Sequence, residues 1–591
     1  MLTLCGTSSI VTHMSARTGT AHVVTTTRKY KDRVYRTHLL RRSYREGGSV
    51  KNETLGNLSH LPDALVEIIR RSLRGETFVP LAQAFEIVRS RAHGHVEAVA
   101  TAMQRLGFAS LIASKPCRER DLVLAMVASR IVAPQTKLAT TRWWHTTTLA
   151  EDFAVADAGE DDLYAAMDWL LQRKDTIEKK LAARHLSTGG LVLYDLSSSY
   201  FEGSTCPLAK RGYNRDGKHG MLQVNYGLLT DARGCPVAVS VHEGNTSDST
   251  TFMPAVQRLR AEFGIGHMVM VGDRGMISQK AIDEMREADG IGWITALKSV
   301  SIRSLIEQGQ LQFGLFDDRN LFEFSAPDYP GERLVACRNA QLAKLRAHKR
   351  EELLCATEKN LDKIKASVSA AKLAGKDNIG VRVGKTVNQY KVAKHFELVI
   401  GDTAFSFMRK PDGIAAEAAL DGIYIIRTSV PATQMEAADC VRNYKSLANV
   451  ERAFRSIKTI DLKVRPIHHR LADRVRSHIF LCMLAYYVEW HMREAWRELM
   501  FADTDQQAKA TRDPVAPATR SKAALDKIAR HTLNDDTPVH SFGTLMAELA
   551  TVVRNTCRTQ QTAENAPTFE LLTNHNPKQQ RAMELLRQIK V

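Results

Sequence analysis

Between residues 62 and about 186, apolar positions recur three and four residues apart, as at Leu65, Ile68 and Ile69. That spacing predicts helices, with Pro62 in a first turn and further helices at 96–106, 119–132, 161–171 and 175–183. Near Gly189-Gly190 the period changes to short apolar runs. Strands are expected at 191–196, 222–229 and 236–242, the last two joined by a turn at 231–234. A helix capped by Ser247 or Asp248 should run to about 263. It is followed by a strand at 268–272, a helix at 281–288 and a strand at 292–297. This is an α/β order with short connections.

Residues 300–416 interrupt the pattern with strand candidates at 333–337 and 396–409 around a charged helix at 340–371. A strand at 422–428, a helix carrying Glu451 and a long helix at 473–499 follow. Residues 503–540 are polar and rich in Ala and Thr, which suits a linker. A helix at 544–556 and a short last helix at 578–590 complete the chain. Upstream, 1–21 reads as irregular and 22–59 as short strands, with a turn at Gly47-Gly48. The domain reading is a basic β-rich region (22–59), a helical region (60–188), an α/β core in two parts (189–299 and 417–490), an insertion (300–416) and a helical C-terminal region with a polar linker (491–591).

Charge sharpens this picture. The 591 residues carry 82 Lys plus Arg against 65 Asp plus Glu, a formal net charge of +17. The excess is concentrated in the first 75 residues and in 442–476. Clustered positive charge points to a polyanion, nucleic acid before others, although a solvated basic surface looks the same. Arg28, Lys29, Lys31, Arg33, Arg36, Arg41, Arg42 and Arg45 are interleaved with Tyr30, Tyr35 and Tyr44, suiting phosphate contact and base stacking. Trp143-Trp144 reads as core. The nine cysteines are scattered with no CxxC pair, which argues against a disulfide framework or zinc ribbon and fits a reducing cytoplasm. No apolar run is long enough to span a bilayer or serve as a signal peptide, so no membrane partner is expected.

Candidate chemistry rests on three acids. Asp195 follows Leu-Val-Leu-Tyr and Asp273 follows Val-Met-Val-Gly, each at the end of a buried-type strand. An acid there needs a cation, a capping role or a proton, because an unpaired buried charge is costly. Glu451 lies in a basic helix. On a regular helical wheel Tyr444, Leu447 and Lys458 share its side, while Val450, Phe454 and Ile457 form an apolar stripe. By itself Glu451 could be an ordinary i,i+4 partner of Arg455. Together, Asp195, Asp273 and Glu451 offer hard oxygen ligands suited to Mg²⁺ or Mn²⁺. His468, His469 and His478 lack the cysteine partners of a standard zinc site. Lys463, Arg465, His468, His469 and Arg470 read as a phosphate-facing patch or a solvated loop, and Asp248 as a helix cap.

These motifs resemble those of bacterial insertion-sequence DDE transposases with an RNase H-like core. The resemblance runs from about His22 to Trp490. It matches Asp195 in LVLYDLSSSYFEG, Asp273 in VMVGDRGM and Glu451 in YKSLANVERAFRSIKT. The last segment follows the family pattern Tyr-x2-Arg-x3-Glu-x6-Lys at Tyr444, Glu451 and Lys458, with Leu447 where Arg is usual. HEGNTSD (242–248) and GYNRDGKHG (212–220) also look familial. The 178 residues between Asp273 and Glu451 leave room for the insertion such enzymes carry.

The resemblance implies an α/β, RNase H-like catalytic core in which the three acids hold two Mg²⁺ (or Mn²⁺) ions. Tyr444, Lys458, Arg452, Arg455 and Arg274 would contact DNA phosphates. The partners it implies are terminal inverted repeats, target DNA and a second copy of the chain, in a cytoplasmic, nucleoid-associated protein. The rival expectations are an RNase H-like nuclease that does not transpose and a DNA-binding remnant acting as a repressor.

Overall fold

A computed structural model describes residues 19–78, 85–316, 319–559 and 567–591. The irregular segment expected at the N-terminus falls outside these residues up to position 18. The chain divides into two compact units: residues 1–90 with 555–571, and residues 91–554 with 572–591.

In the first unit, β1 (Thr20–Tyr30), β2 (Arg33–Glu46) and β3 (Ser49–Asn57) form an antiparallel meander. The strands are longer than the apolar signal suggested because the alternation of Thr, Arg and Tyr sustains pairing where few apolar residues remain. Gly47 and Gly48, at φ 59° and 83°, make the tight turn between β2 and β3. The helix Asp63–Ser72 buries Val66, and Asp63 accepts hydrogen bonds from Arg36 and His38, each at 3.1 Å. The region expected to be helical throughout also contains β4 (Phe85–Ala92), whose Phe-Glu-Ile-Val start favours a strand.

In the second unit, helices Arg118–Val132, Glu160–Leu171 and Lys174–His185 pack into one core with Trp144 fully buried. The sheet strands are β5 (Leu191–Tyr200), β6 (Gln223–Asp231), β7 (Pro236–Glu243), β8 (Met268–Val271), β9 (Ile291–Ala296), β10 (Leu321–Phe324) and β11 (Arg333–Arg338). A separate hairpin, β12 (Phe396–Ile400) with β13 (Phe405–Arg409), precedes the last sheet strand, β14 (Ile423–Thr428). The eight-stranded sheet has the order β10-β11-β14-β9-β8-β5-β6-β7. β6 runs antiparallel to both of its neighbours, β5 and β7, while β8 and β9 run parallel to β5 and β14 returns antiparallel to β9. β6 is buried along its whole length, as expected for a strand covered on both faces.

The stretch 300–416 is divided. β10 and β11 extend the large sheet and share a core with Leu297, Ile302, Leu305 and Ile425. Beyond them, helices Ala340–Ser369 and Lys376–Gln389 and the β12–β13 hairpin enclose their own core of Leu354, Leu361, Ile379, Val383, Phe396 and Phe405.

The long helix Ala472–Ala495 is buried over most of Val475–Met492 and lies against the other helices and β7. The polar stretch 503–540 is not a free linker. It forms helices Gln506–Thr511 and Lys522–Arg530, and the Lys527 ammonium donates to the carbonyls of Glu498, Met500 and Ala502 at 3.2–3.3 Å. The helix expected over 544–556 is Phe542–Leu549. It stops ahead of Thr551-Val552-Val553, where β-branched side chains favour the extended strand β15 (Val553–Thr559). With β16 (Thr568–Leu572) and β4 this completes a small three-stranded sheet. The last helix, Pro577–Arg587, is held by a hydrogen bond from Trp496 Nε1 to the Ala582 carbonyl at 2.9 Å. Among the described residues no single helix is long and apolar enough to cross a membrane.

Candidate active site

Asp195 does not end its strand. β5 continues through Leu-Ser-Ser-Ser-Tyr, and the serines, buried in the sheet, pair with β6 as far as Tyr200 opposite Gln223. The acid is nonetheless terminal on its other side. β8 pairs with β5 only up to Val271 opposite Leu193. Asp195 and Asp273 therefore each lie two residues past the last paired position of two adjacent parallel strands.

Burial pushes the Asp195 carboxyl up to about 7. The backbone N–H of Leu196, donating at 2.8 Å, and the Arg215 guanidinium oppose the rise, whereas the charges of Asp273 and Glu451 add to it. Asp273 is exposed and accepts a hydrogen bond from the Tyr444 hydroxyl at 3.3 Å. Burial, with the Asp273 charge beside it, raises the Tyr444 phenol, so it stays a donor at neutral pH.

Glu451 comes from a segment that is not the single regular helix its spacing suggested. Helix Ala437–Lys445 ends at Ser446, a second helix Leu447–Arg455 carries Glu451, and a π-turn, Ser456–Ile460, comes next. The second helix buries Val450, Ala453 and Phe454 and packs over β5. It also lies against the β6–β7 turn, where Gly234 (φ 89°) approaches Asn449 so closely that an added Cβ would sit 2.7 Å from the Asn449 Cβ. Glu451 itself stays exposed at the edge of this contact.

The regular wheel fails beyond Arg455. A π-turn holds one extra residue, which rotates the downstream side chains by about 100°. The turn is pinned from beneath: Ser456 Oγ donates to Glu489 and Asp461, each at 2.9 Å, and Arg493 pairs with both acids. Lys458 lies within this turn. Its ammonium donates to Ser197 Oγ at 3.1 Å and pairs with Asp216 at 2.6 Å.

The remaining side chains expected to meet DNA fall around this centre. Arg274 is exposed beside Asp273, and Arg455 is exposed on the Glu451 helix. Arg452 is exposed and donates to Asn449 Oδ1 at 3.3 Å. Leu447, at the position where Arg was anticipated, is half-buried against the main core and serves packing. Asp248 is the first residue of helix Asp248–Ala261, and its carboxylate takes a salt bridge from Arg215 instead of capping the helix. His469 and His478 face each other with ring centroids 4.9 Å apart, and burial holds the His469 imidazole down at about 3.

Sequence reasoning gave Arg215 and Asp216 no role. They lie in GYNRDGKHG, which had looked familial, but nothing in its spacing says where its charges point.

The donor set fits a hard divalent cation. Three carboxylates converge on one edge of the sheet, one of them buried, with the Arg215 guanidinium as the cation that lowers the Asp195 carboxyl. The three do not close into a single tight shell. Among the described residues, the group of three His, Cys, Asp or Glu donors lying within 4.8 Å of one another is His185, Cys235 and His491.

Residues 190–488, half of the chain, match the family described as the transposase DDE domain, and residues 23–79 match the N-terminal domain of IS1634 family transposases. The chain belongs to the DDE transposases. More closely, it is a transposase of the insertion-sequence kind, an enzyme that cuts and transfers DNA. No curated protein matches it. A cryo-EM structure of a piggyBac transposase synaptic complex with hairpin DNA is similar at 9% identity over 77% of each chain, with a TM-score of 0.33, too slight a likeness to carry an argument.

Proposed function

We propose that Asp195, Asp273 and Glu451 are the catalytic acids of this transposase, on an RNase H-like core formed by β7-β6-β5-β8-β9, and that they hold two Mg²⁺ or Mn²⁺ ions. The reading rests chiefly on one observation. Residues 78 and 178 positions apart bring three acids to one edge of a mixed sheet, where the buried one lacks full counter-charge. Bound there, divalent cations supply positive charge to both the attacking and the leaving oxygen of a phosphodiester.

The substrate is the end of the element, its terminal inverted repeat. Water attacks the terminal phosphodiester in line, freeing a 3′-hydroxyl that then attacks a phosphodiester of the target DNA. Neither step needs a covalent enzyme intermediate. Tyr444 orients Asp273 through its hydroxyl, and Arg274, Arg452 and Arg455 present exposed guanidinium groups to the DNA backbone. The basic β1–β2–β3 meander and the helices after it recognise the repeats. Joining two element ends calls for at least two copies of the chain, hence a homodimer.

The direct test uses a labelled terminal-repeat duplex taken from the DNA flanking the gene. Asp195→Asn, Asp273→Asn and Glu451→Gln should each cut it about 10³-fold more slowly or worse, the loss of several kcal/mol of charge stabilisation, while binding persists. Cleavage that survives all three changes would sink the assignment.

A further inference from the structure

Asp216 is a carboxylate that the chemistry above leaves unused. Its side chain is 1% exposed, and a buried charge of this kind persists only where it is paired. It is paired twice, with Lys458 at 2.6 Å and with Arg465, and it accepts the backbone N–H of Tyr200 at 3.1 Å. Its loop is preset by Asn214, whose Oδ1 accepts from the N–H groups of Asp216 (2.8 Å) and Lys218 (3.1 Å).

Above this pair of ion pairs lies a cavity of about 340 Å³, lined by Tyr200, Lys218, Lys458, Thr459, Lys463 and Arg465 around Asp216. Lys218 and Lys463 are exposed, and neither has an ion-pair partner among the described residues; Lys218 stands 5.8 Å over the Tyr200 ring. Four cations against one buried carboxylate leave a positive concavity. Position matters as much as charge. Lys458 also donates to Ser197, which shares a face of β5 with Asp195 about 7 Å further along the strand. One DNA strand rises about 3.4 Å per nucleotide, so the cavity is within reach of a phosphate about two nucleotides from one held at Asp195.

We propose that Asp216 is a positioning residue that holds Arg465 and Lys458, the latter already implied by the resemblance to meet phosphate, facing this cavity, and that Lys218 and Lys463 on its rim make it a seat for a DNA phosphodiester flanking the cut. The proposal rests on the functional reading above. Asp216 acts through the two cations: it offsets their mutual repulsion and their burial, and leaves Lys218 and Lys463 to meet the backbone from the rim.

The test measures binding of the full-length protein to the labelled terminal-repeat duplex over a series of salt concentrations. Lys218→Gln and Lys463→Gln should each lower the slope of log affinity against log salt by about one. Asp216→Asn should weaken binding about tenfold, but should add no further loss in a chain already carrying Lys458→Gln and Arg465→Gln, because its effect passes through them.

An unchanged salt slope in both lysine variants would overturn the seat. So would an Asp216→Asn chain that melts earlier yet binds as before, or one whose binding loss is the same with and without the two cations. If Asp216→Asn fails to fold, the exposed lysines still decide the matter. A wild-type protein that neither binds nor cuts the duplex would overturn the functional reading itself, and the seat with it.

Discussion

Asp195 is held by its surroundings in an unusual state for a carboxyl, half-protonated near neutrality as long as no cation lies beside it. Its folded value, about 7, stands above its ordinary 3.8. The group therefore favours the fold fully below pH 3.8, and that contribution is lost as pH rises through about 7. A divalent cation binds the ionised form and reverses the trend. Thermal melts should show Mg²⁺ or Mn²⁺ raising the Tm clearly at pH 8 and little at pH 5, and Asp195→Asn should remove the difference. A metal-induced shift equal at both pH values would contradict a cation held by the ionised carboxylate. The Tyr444 hydroxyl acts one step further out, so Tyr444→Phe should raise the Mg²⁺ concentration giving half-maximal cutting by about 10-fold.

The broken helix around Glu451 shows how an element can be tuned by the side chains under it. The break at Ser446 lets Tyr444 reach Asp273, while the next helix carries Glu451 over β5. The π-turn then aims Lys458 at Ser197 and Asp216. Glu489 beneath it is fully buried, and burial pushes its carboxyl up to about 7 against the opposing charge of Arg493. Ser456→Ala removes one of the donors to that acid and should cost about 1–3 kcal/mol in chemical denaturation. It should also relax the turn toward a regular helix, with a drop in cutting rate larger than the loss of stability explains. Unchanged stability would show that the serine does not pin the turn.

For the molecule as a whole, charge and fold divide the labour. The second unit builds the eight-stranded sheet and, on residues inserted between β11 and β14, a subdomain with its own core. The first unit displays Arg and Tyr side chains along the β1–β2 hairpin, with Tyr30 61% and Tyr35 53% exposed. Exposed aromatics beside cations are suited to a nucleic-acid backbone with accessible bases. Replacing Arg28, Lys29 and Lys31 by Gln should weaken binding to any DNA of the same length, and lower the salt slope by about one for each phosphate no longer neutralised. A weakening confined to the cognate repeat, with the slope intact, would instead mean direct reading of bases.

The sequence by itself determined a great deal. Strand and helix periods announced β5 to β9 and β14, the charged helix after β11 and the long buried helix, since hydrophobic spacing reflects which face is covered. Motif spacing marked Asp195, Asp273 and Glu451 as residues to be brought together. It could not fix where a strand stops, because pairing with β6 carries β5 through three buried serines that look polar in the sequence. Nor could it foresee that β10 and β11 would join the large sheet, or that the polar stretch 503–540 would fold back so that Lys527 reaches the carbonyls of Glu498, Met500 and Ala502 just ahead of it. Above all, the direction of Lys458 was decided by tertiary structure. A helical wheel assumes one rotation per residue, and the extra residue of the π-turn, secured by Ser456, Glu489 and Asp461, breaks that assumption and points the lysine to Asp216.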